Sequence, residues 1–344
     1  MAHGVVHLDL GGEYRGGQRQ VLYLARAQHL DGMAVQIAAP RGAPLLDQAG
    51  QQGLPTLSLP GRFDFDPRNV AALALGLTAG HILHTHDARG ASLGALVRLT
   101  RPGLALIHTR RVSYPLGQGW SRWKYRLADM VVCVSQEVRE QVVRAGVSRT
   151  AVIPSAIVLA RYSPRQVGNH GRIGIIGALS PQKGHDQLFR ALARLDPVPE
   201  VWIVGKGRLE QSLRDLADEL GIAGRIEWKG QVESPQILPW LDVLAVPSAH
   251  GEGSSGVIKE GWAAGVPVVC SDLPANLELV RHEDNGLVFA NGRPDELARQ
   301  LRRLAGEPEL AASVVRGGSL SVQDYDVSCM YQAYQGLYQT LTPC

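Results

Sequence analysis

Short apolar runs that alternate with helix-length segments constrain this chain more than any other feature. The first half contains VVHLDL (5–10), AVQIAA (34–39), TLSL (56–59), HILHTH (81–86), LALIHT (104–109), MVVCVS (130–135) and AVIP (151–154). Segments with helical periodicity lie between them, among them QRQVLYLARAQHL and GASLGALVRLT. Runs buried on both faces and separated by crossover helices imply a parallel sheet. The same alternation resumes after residue 171 with RIGIIGAL, VWIVG (201–205), RIEWKG (225–230), DVLAVPS (242–248), VPVVCS (266–271) and GLVFA (286–290). Between the two series, SAIVLARYSPRQVGNHG (155–171) is rich in proline, glycine and polar residues and reads as a linker. The expected fold class is α/β, with two doubly wound Rossmann-like domains facing a central cleft. Ligands of such sheets gather beyond the carboxyl ends of the strands, where this sequence places its His, Asp, Ser, Thr and Gly clusters.

Composition narrows the class. With 45% hydrophobic and 19% charged residues the protein is globular, and 344 residues suit two domains better than one. The four cysteines are scattered without a CxxC pair, so reduced thiols are expected rather than a metal or redox site. No secretory signal is read near Met1. The most apolar run, 71–83, is broken by glycine and too short to span a bilayer. A cytoplasmic location follows as an expectation. Charge is uneven: residues 1–160 hold 17 basic and 10 acidic side chains, the remainder 18 and 22. A first half at +7 points to an anionic partner: a phosphorylated substrate, a membrane surface or a nucleic acid.

The stretch EGSSGVIKE (252–260) carries the most specific chemistry. It follows a buried strand and opens a helix, with Ser254 or Ser255 available as a cap. Across a helix start, Glu252 and Glu260 lie about 12 Å apart at ~1.5 Å per residue. They are too far apart for one small group and well placed for the two ends of an extended ligand such as a nucleotide-sugar. The helix N-terminus between them offers free N–H groups to a diphosphate, with Ser254, Ser255 and Gly256 allowing close approach.

The longer stretch HGEGSSGVIKEGWAAGVPVVCSDLPANLELV resembles the donor-site signature of the retaining GT-B glycosyltransferases of family 4. Glu252, Glu260 and Gly265-Val266-Pro267-Val268 match that signature in order. Lys183-Gly184 matches the family's KG, Gly205 and Gly207 its Gly-x-Gly, and Glu278 a later glutamate. GGEYRGGQRQ resembles the glycine-rich first loop, so the likeness covers nearly the whole sequence. It implies residues 1–160 as an acceptor-binding domain, joined by a helix at 324–344 that crosses back to it, and 171–320 as the nucleotide-sugar domain. Lys183 would neutralise donor phosphates, Glu252 would position the sugar and Glu260 the ribose. Gly16, Gly17, Gly177, Gly205, Arg208 and the 254–256 stretch would complete the donor site. Particular similarity to enzymes of bacterial lipopolysaccharide core and other envelope glycans implies a glycan or glycolipid acceptor.

Three departures from the pattern stand out. Gly177-Ala178-Leu179 lacks the arginine that many relatives carry there, and Ser155-Ala156 replaces an Asn-Gly. HTRRV puts Arg111 where relatives have the histidine of Thr-x-His, with His108 just before, so the first-half catalytic residue is open between Arg111 and His108. On the acceptor side the candidates are Arg19, His86, Asp87 and Arg110. His84 and His86 would share one strand face, but no second cluster in the sequence completes a ligand set, and the resemblance implies no metal and no cofactor. The segment 113–130 interleaves Trp120, Trp123 and Tyr125 with Arg122, Lys124 and Arg126, which suits the inner face of a membrane as a peripheral surface; nothing matches a nucleic-acid motif. Two other functions remain at this point: an epimerase or phosphorylase on the same architecture, and a non-catalytic sugar-nucleotide or membrane-binding scaffold.

Overall fold

A computed structural model describes residues 4–61, 63, 65–78, 80–165 and 171–341. The protein divides into two compact units, Met1–Ala156 with Val327–Cys344, and Ile157–Asp326. The first unit runs β1 (Gly4–Leu8), α1 (Gly16–Leu30), β2 (Val35–Pro40), α2 (Pro44–Gln51), β3 (Thr56–Leu59), α3 (Pro67–Gly76) and β4 (His81–Thr85). It continues with α4 (Ala88–Thr100), β5 (Ala105–Arg110), α5 (Trp120–Arg126), β6 (Met130–Cys133), α6 (Gln136–Arg144) and β7 (Thr150–Val152). Its sheet has the order β3-β2-β1-β4-β5-β6-β7, every described pair parallel.

The second unit begins with β8 (Arg172–Ile176), α7 (His185–Leu192), β9 (Glu200–Val204), α8 (Glu210–Glu219), β10 (Ile226–Gly230), α9 (Ser234–Ile237) and β11 (Val243–Val246). Then come α10 (Gly256–Ala263), β12 (Val268–Ser271), α11 (Pro274–Leu277), β13 (Leu287–Phe289), α12 (Pro294–Gly306) and α13 (Pro308–Ser321). The order β10-β9-β8-β11-β12-β13 is again parallel throughout. Each sheet reverses its strand order once, between β1 and β4 and between β8 and β11. A crevice opens at such a switch point, and the chemistry of each unit is gathered there.

The last helix, α14 (Val327–Leu341), packs on the first unit. It contains no charged residue, and Met330, Tyr334 and Tyr338 repeat every four positions on one buried face. That face joins Val5, Leu24, Ile82, Ile107 and Val132 in a core cluster. This is the expected return of the C-terminal segment, with the aromatic residues on the buried side. The expected linker is partly ordered: Ile157 N–H donates to Tyr325 O at 2.9 Å and Arg165 N–H to Ala264 O at 2.7 Å, fixing 157–165 to the second unit. Residues 166–170 of that segment lie outside the described residues.

The aromatic-basic stretch is corrected in detail. Lys124 and Tyr125 turn inward, with Lys124 Nζ donating to Ala88 O at 2.6 Å and to Ser92 Oγ at 3.0 Å. Trp120 and Trp123 remain partly exposed, their rings 4.8 Å apart, with the exposed Phe65 ring 6.0 Å from Trp120. No helix among the described residues is long and apolar enough to cross a membrane.

Candidate active site

In the second unit the site is assembled from the loops after β8 and β11. Lys183 ends a 3₁₀ turn at Pro181–Lys183, and the backbone reverses at Gly184 with φ +64°. A Cβ at Gly184 would stand 1.8 Å from Pro247 O, so only glycine fits the KG turn. Across it, Lys183 Nζ donates to Glu252 Oε1 at 2.6 Å, and Ser248 Oγ donates to the same oxygen at 2.6 Å. Glu252 is buried and Lys183 only partly so. The sequence separates these two side chains by 69 positions and gives them different tasks; the fold joins them in one ion pair. Gln182 stitches the loops together, its backbone O accepting from Ala249 N–H and its Nε2 donating to Gly251 O.

Helix α10 is anchored by Gly261 and Trp262. A Cβ on Gly261 would meet Leu244 at 2.6 Å, so the helix lies close on β11, and Trp262 Nε1 donates to Asn285 O at 2.7 Å. The expected serine cap is not made. Ser255 holds the N-cap position, but its Oγ accepts nothing from the helix and is buried without a partner. Ser254 Oγ instead accepts from Lys259 Nζ at 2.8 Å. The first N–H groups of α10 therefore lack a side-chain acceptor and end on Gly256, whose Cβ direction is open space. Glu260 is half-buried one turn on.

Lys259 is a residue that sequence reasoning passed over. It is fully enclosed, its ammonium lies 4.3 Å from the Tyr325 ring centroid, and burial pulls its pKa down to about 7. A lone lysine in the apolar run VIKEGWA was the available signal. Gly177 and Gly205 stand in close packing. At Gly205, with φ +141°, a Cβ would sit 1.9 Å from Gly177 O, and a Cβ at Gly177 would press the Lys183 methylenes at 3.3 Å. Arg208 is exposed in the turn before α8.

In the first unit, Asp9 closes the loop after β1. Its Oδ1 accepts from Gly11 N–H at 2.8 Å and from Gln18 Nε2 at 2.9 Å. Helix α1 then starts at Gly16, where a Cβ would meet nothing; one at Gly17 would meet Arg111 Cδ at 3.7 Å. Arg15 is exposed and paired with Glu13, and Arg19 is half-buried in the first turn.

Several of the expected contact residues are engaged by partners within the first unit. Asp87 caps α4, its Oδ1 accepting from Gly90 N–H at 2.9 Å and from Leu10 N–H at 3.0 Å. Burial raises its pKa, with nearby Asp9 adding to the effect. Arg110 is buried against the Tyr114 and Tyr125 rings and donates to Tyr114 O. His108 is fully enclosed, bonded to Thr85 Oγ1 at 2.7 Å and to Lys124 O at 3.1 Å. Strand alternation puts His108 on the sheet face opposite Thr109, so of the two candidates it is Arg111 that stands at the loop edge.

His86 is buried just past the end of β4, and a third histidine joins it and His84. His7 on β1 is the register neighbour of His84, and the nitrogens of His7, His84 and His86 come within 4.8 Å of one another. The expectation that nothing completes this cluster failed because the third member is 77 positions from His84 and adjacent only across the sheet. Every ring nitrogen in the trio nevertheless has a protein partner: His7 with His86 and Gln28, His84 with Tyr338 and Thr109, and His86 with Arg111. Burial lowers all three pKa values, His7 to about 4.

Two parallel doubly wound units, with glycine-rich turns and, in the second, a Lys–Glu pair at the switch point, define the GT-B architecture. The protein belongs to the family 4 glycosyltransferases: the profile described as "Glycosyltransferase Family 4" matches residues 14–161, and "Glycosyl transferases group 1" matches 170–307. Lipopolysaccharide core biosynthesis glycosyltransferase LpsE of Rhizobium meliloti is 27% identical over 219 residues, 61% of this chain and 64% of that protein. Phosphatidyl-myo-inositol mannosyltransferase of Mycobacterium leprae is 29% identical over 353 residues, 95% of this chain and 93% of that one. The crystal structure of Anabaena HepE in complex with UDP superposes with a TM-score of 0.88 at 20% identity, covering 98% of this chain and 100% of that one.

Proposed function

We propose that the protein transfers a sugar, with retention of anomeric configuration, from a nucleotide-sugar to an acceptor hydroxyl of a bacterial envelope glycan or glycolipid. The observation that carries this reading is the convergence of Lys183, Glu252 and Ser248 with the uncapped start of α10 at one switch point. The diphosphate lies over the first N–H groups of α10 beside Gly256, its charge met by the helix end and Lys183. As the glycosidic bond breaks, negative charge grows on the departing diphosphate. Donors already aimed there stabilise that charge without reorganisation. Glu252, released from Lys183 as the phosphate takes its place, accepts from the sugar hydroxyls, and Glu260 accepts from the ribose. These cationic and N–H donors supply the charge stabilisation without a metal or cofactor.

The UDP complex of HepE supports uridine as the base, and the LpsE likeness supports a lipopolysaccharide core acceptor. In the first unit, Arg111 is assigned to charge stabilisation, and Arg19 to the acceptor. The exposed Phe65, Trp120 and Trp123 cluster on a unit of net positive charge supports a peripheral hold on an anionic membrane at its cytoplasmic face.

The test is a panel of UDP-, GDP-, ADP- and CMP-sugars read by thermal shift and by donor hydrolysis. A rise in Tm with one nucleotide family, lost in Glu260→Ala, is expected. No shift with any of them, from a protein that melts cooperatively, would sink the reading.

A further inference from the structure

The buried histidines of the first unit are not used by the mechanism above, and their hydrogen bonds have a direction that a single charged group fixes. Arg111 can only donate. Its Nη2 lies 3.2 Å from His86 Nδ1, so that nitrogen must be the acceptor and His86 carries its proton on Nε2. His86 Nε2–H then donates to His7 Nδ1 at 2.9 Å, which leaves the His7 proton on Nε2. His7 Nε2–H donates to Gln28 Oε1 at 2.7 Å. Every step agrees with the one before it, and the tautomer of each ring is set by its neighbour.

We infer that Gln28, His7 and His86 are positioning residues: a one-directional relay of neutral groups that orients the guanidinium of Arg111, whose Cδ packs against Gly17 at the start of α1. The inference rests on the role given to Arg111 under Proposed function.

Three further observations support it. His7, Gln28 and His86 are all buried, and polar groups without a task at such positions cost more than apolar ones of like volume. Arg111 Nε is itself buried without a partner, so the link to His86 is one of few things that orient the side chain. Asp9 and Tyr334 favour the Arg111 charge through space, but the hydrogen bonds they make go to other groups. Asp9 Oδ1 binds Gly11 and Gln18, Tyr334 OH pairs with Thr109 Oγ1 at 3.0 Å, and His84 is taken by Tyr338 and Thr109.

The relay works only while His86 is neutral. Protonating its Nδ1 turns the acceptor into a donor and sets a second positive charge against Arg111. Burial opposes this by holding the His86 pKa well below its ordinary value. A metal among the three histidines would instead have to take nitrogens away from Gln28, Arg111, Tyr338 or Thr109.

The test uses the full-length protein labelled with ¹⁵N-histidine. Long-range ¹H–¹⁵N spectra at about pH 7.5 should report His7 and His86 both as Nε2–H tautomers, and Arg111→Met should mix the His86 tautomers. In UDP-glucose hydrolysis, or with whichever sugar nucleotide the donor panel selects, His7→Leu should lower kcat about five- to fiftyfold with little change in KM. His7→Asn keeps an acceptor near the Nδ1 position and should recover most of that loss. In an Arg111→Met background His7→Leu should have no further effect.

Nδ1–H tautomers in the native protein would overturn the relay, and so would equal losses from His7→Leu in both backgrounds. Stoichiometric zinc binding that displaces the ring signals would replace it with a metal site. Should His7→Leu fail to fold, the native spectra and His7→Asn still decide. Full turnover by Arg111→Met would remove the role of Arg111 and with it the purpose of the relay, whereas wrong tautomers beside an impaired Arg111→Met would remove the relay alone.

Discussion

Both units set their reactive groups around the first strand and the strand beyond the switch, yet they fill those places with different chemistry. On β1 and β4 and just after β4 the first unit has histidines kept neutral by burial, saturated by one another and by α1 and α14, with Arg111, just past β5, as the charged end. After β8 and β11 the second unit has an ion pair at 2.6 Å, an uncapped helix start and glycines wedged against carbonyl oxygens. One switch point is a wired interior that presents a single cation. The other is a backbone cradle whose charges already lie at the surface of the site. A parallel sheet supplies the location in both cases and leaves the chemistry to the loops.

The comparison breaks most visibly at Lys183. Its replacement by Ala should cut turnover about 10²- to 10³-fold, the size expected for losing one preorganised donor to a developing anion. A loss below about fivefold in steady-state hydrolysis would shift the weight to Arg111 and the first unit.

The glycines sharpen it next. Gly184→Ala drives a methyl into Pro247 O and forces a strained backbone, so unfolding in urea should show a loss of roughly 2–4 kcal/mol. Gly256→Ala faces open space and should leave the urea midpoint nearly unchanged while weakening donor binding. Equal destabilisation by both would mean that the α10 start is packed rather than open. Glu260→Ala should raise the donor KM about 10- to 100-fold, as for a charged hydrogen bond, with a smaller change in kcat.

The units should also lose stability in different pH windows. His7 takes its proton near pH ~6.5 when unfolded and only at about 4 when folded, so the first unit should weaken as pH falls from about 6.5 to about 4. Lys259 holds its proton up to about pH 10 unfolded and only to about 7 folded. The second unit should therefore gain stability as pH rises from about 7 to about 10 and be level below that window. Hydrogen exchange followed by mass spectrometry can read the two separately, and Lys259→Met should abolish the alkaline slope and raise Tm at about pH 6. A lower Tm in that variant would make Lys259 a net stabiliser through Ser254 and Tyr325.

The smallest effect is expected at the surface. Trp123→Ser should reduce co-sedimentation with phosphatidylglycerol vesicles about two- to threefold without altering donor hydrolysis, in keeping with the modest burial of one interfacial ring.

Much of this architecture was legible along the sequence because its signals are local. Apolar runs of about four to six residues marked each strand, the resemblance implied a C-terminal helix at 324–344, and EGSSGVIKE marked a helix start between two carboxylates. What depends on neighbours far away in sequence was not legible. His7 meets His84 only through the parallel register of β1 and β4, and Lys183 meets Glu252 only because two loops close over Gly184. His108 and Asp87 looked like ligand groups, but one lies on the packed face of the sheet and the other caps α4. Residue type and period are properties of the sequence and determine which elements form. Which side chains share a hydrogen bond, and which glycine faces a carbonyl rather than open space, is decided when strands take their register and loops pack. These choices depend on distances of an ångström or less that no local pattern encodes.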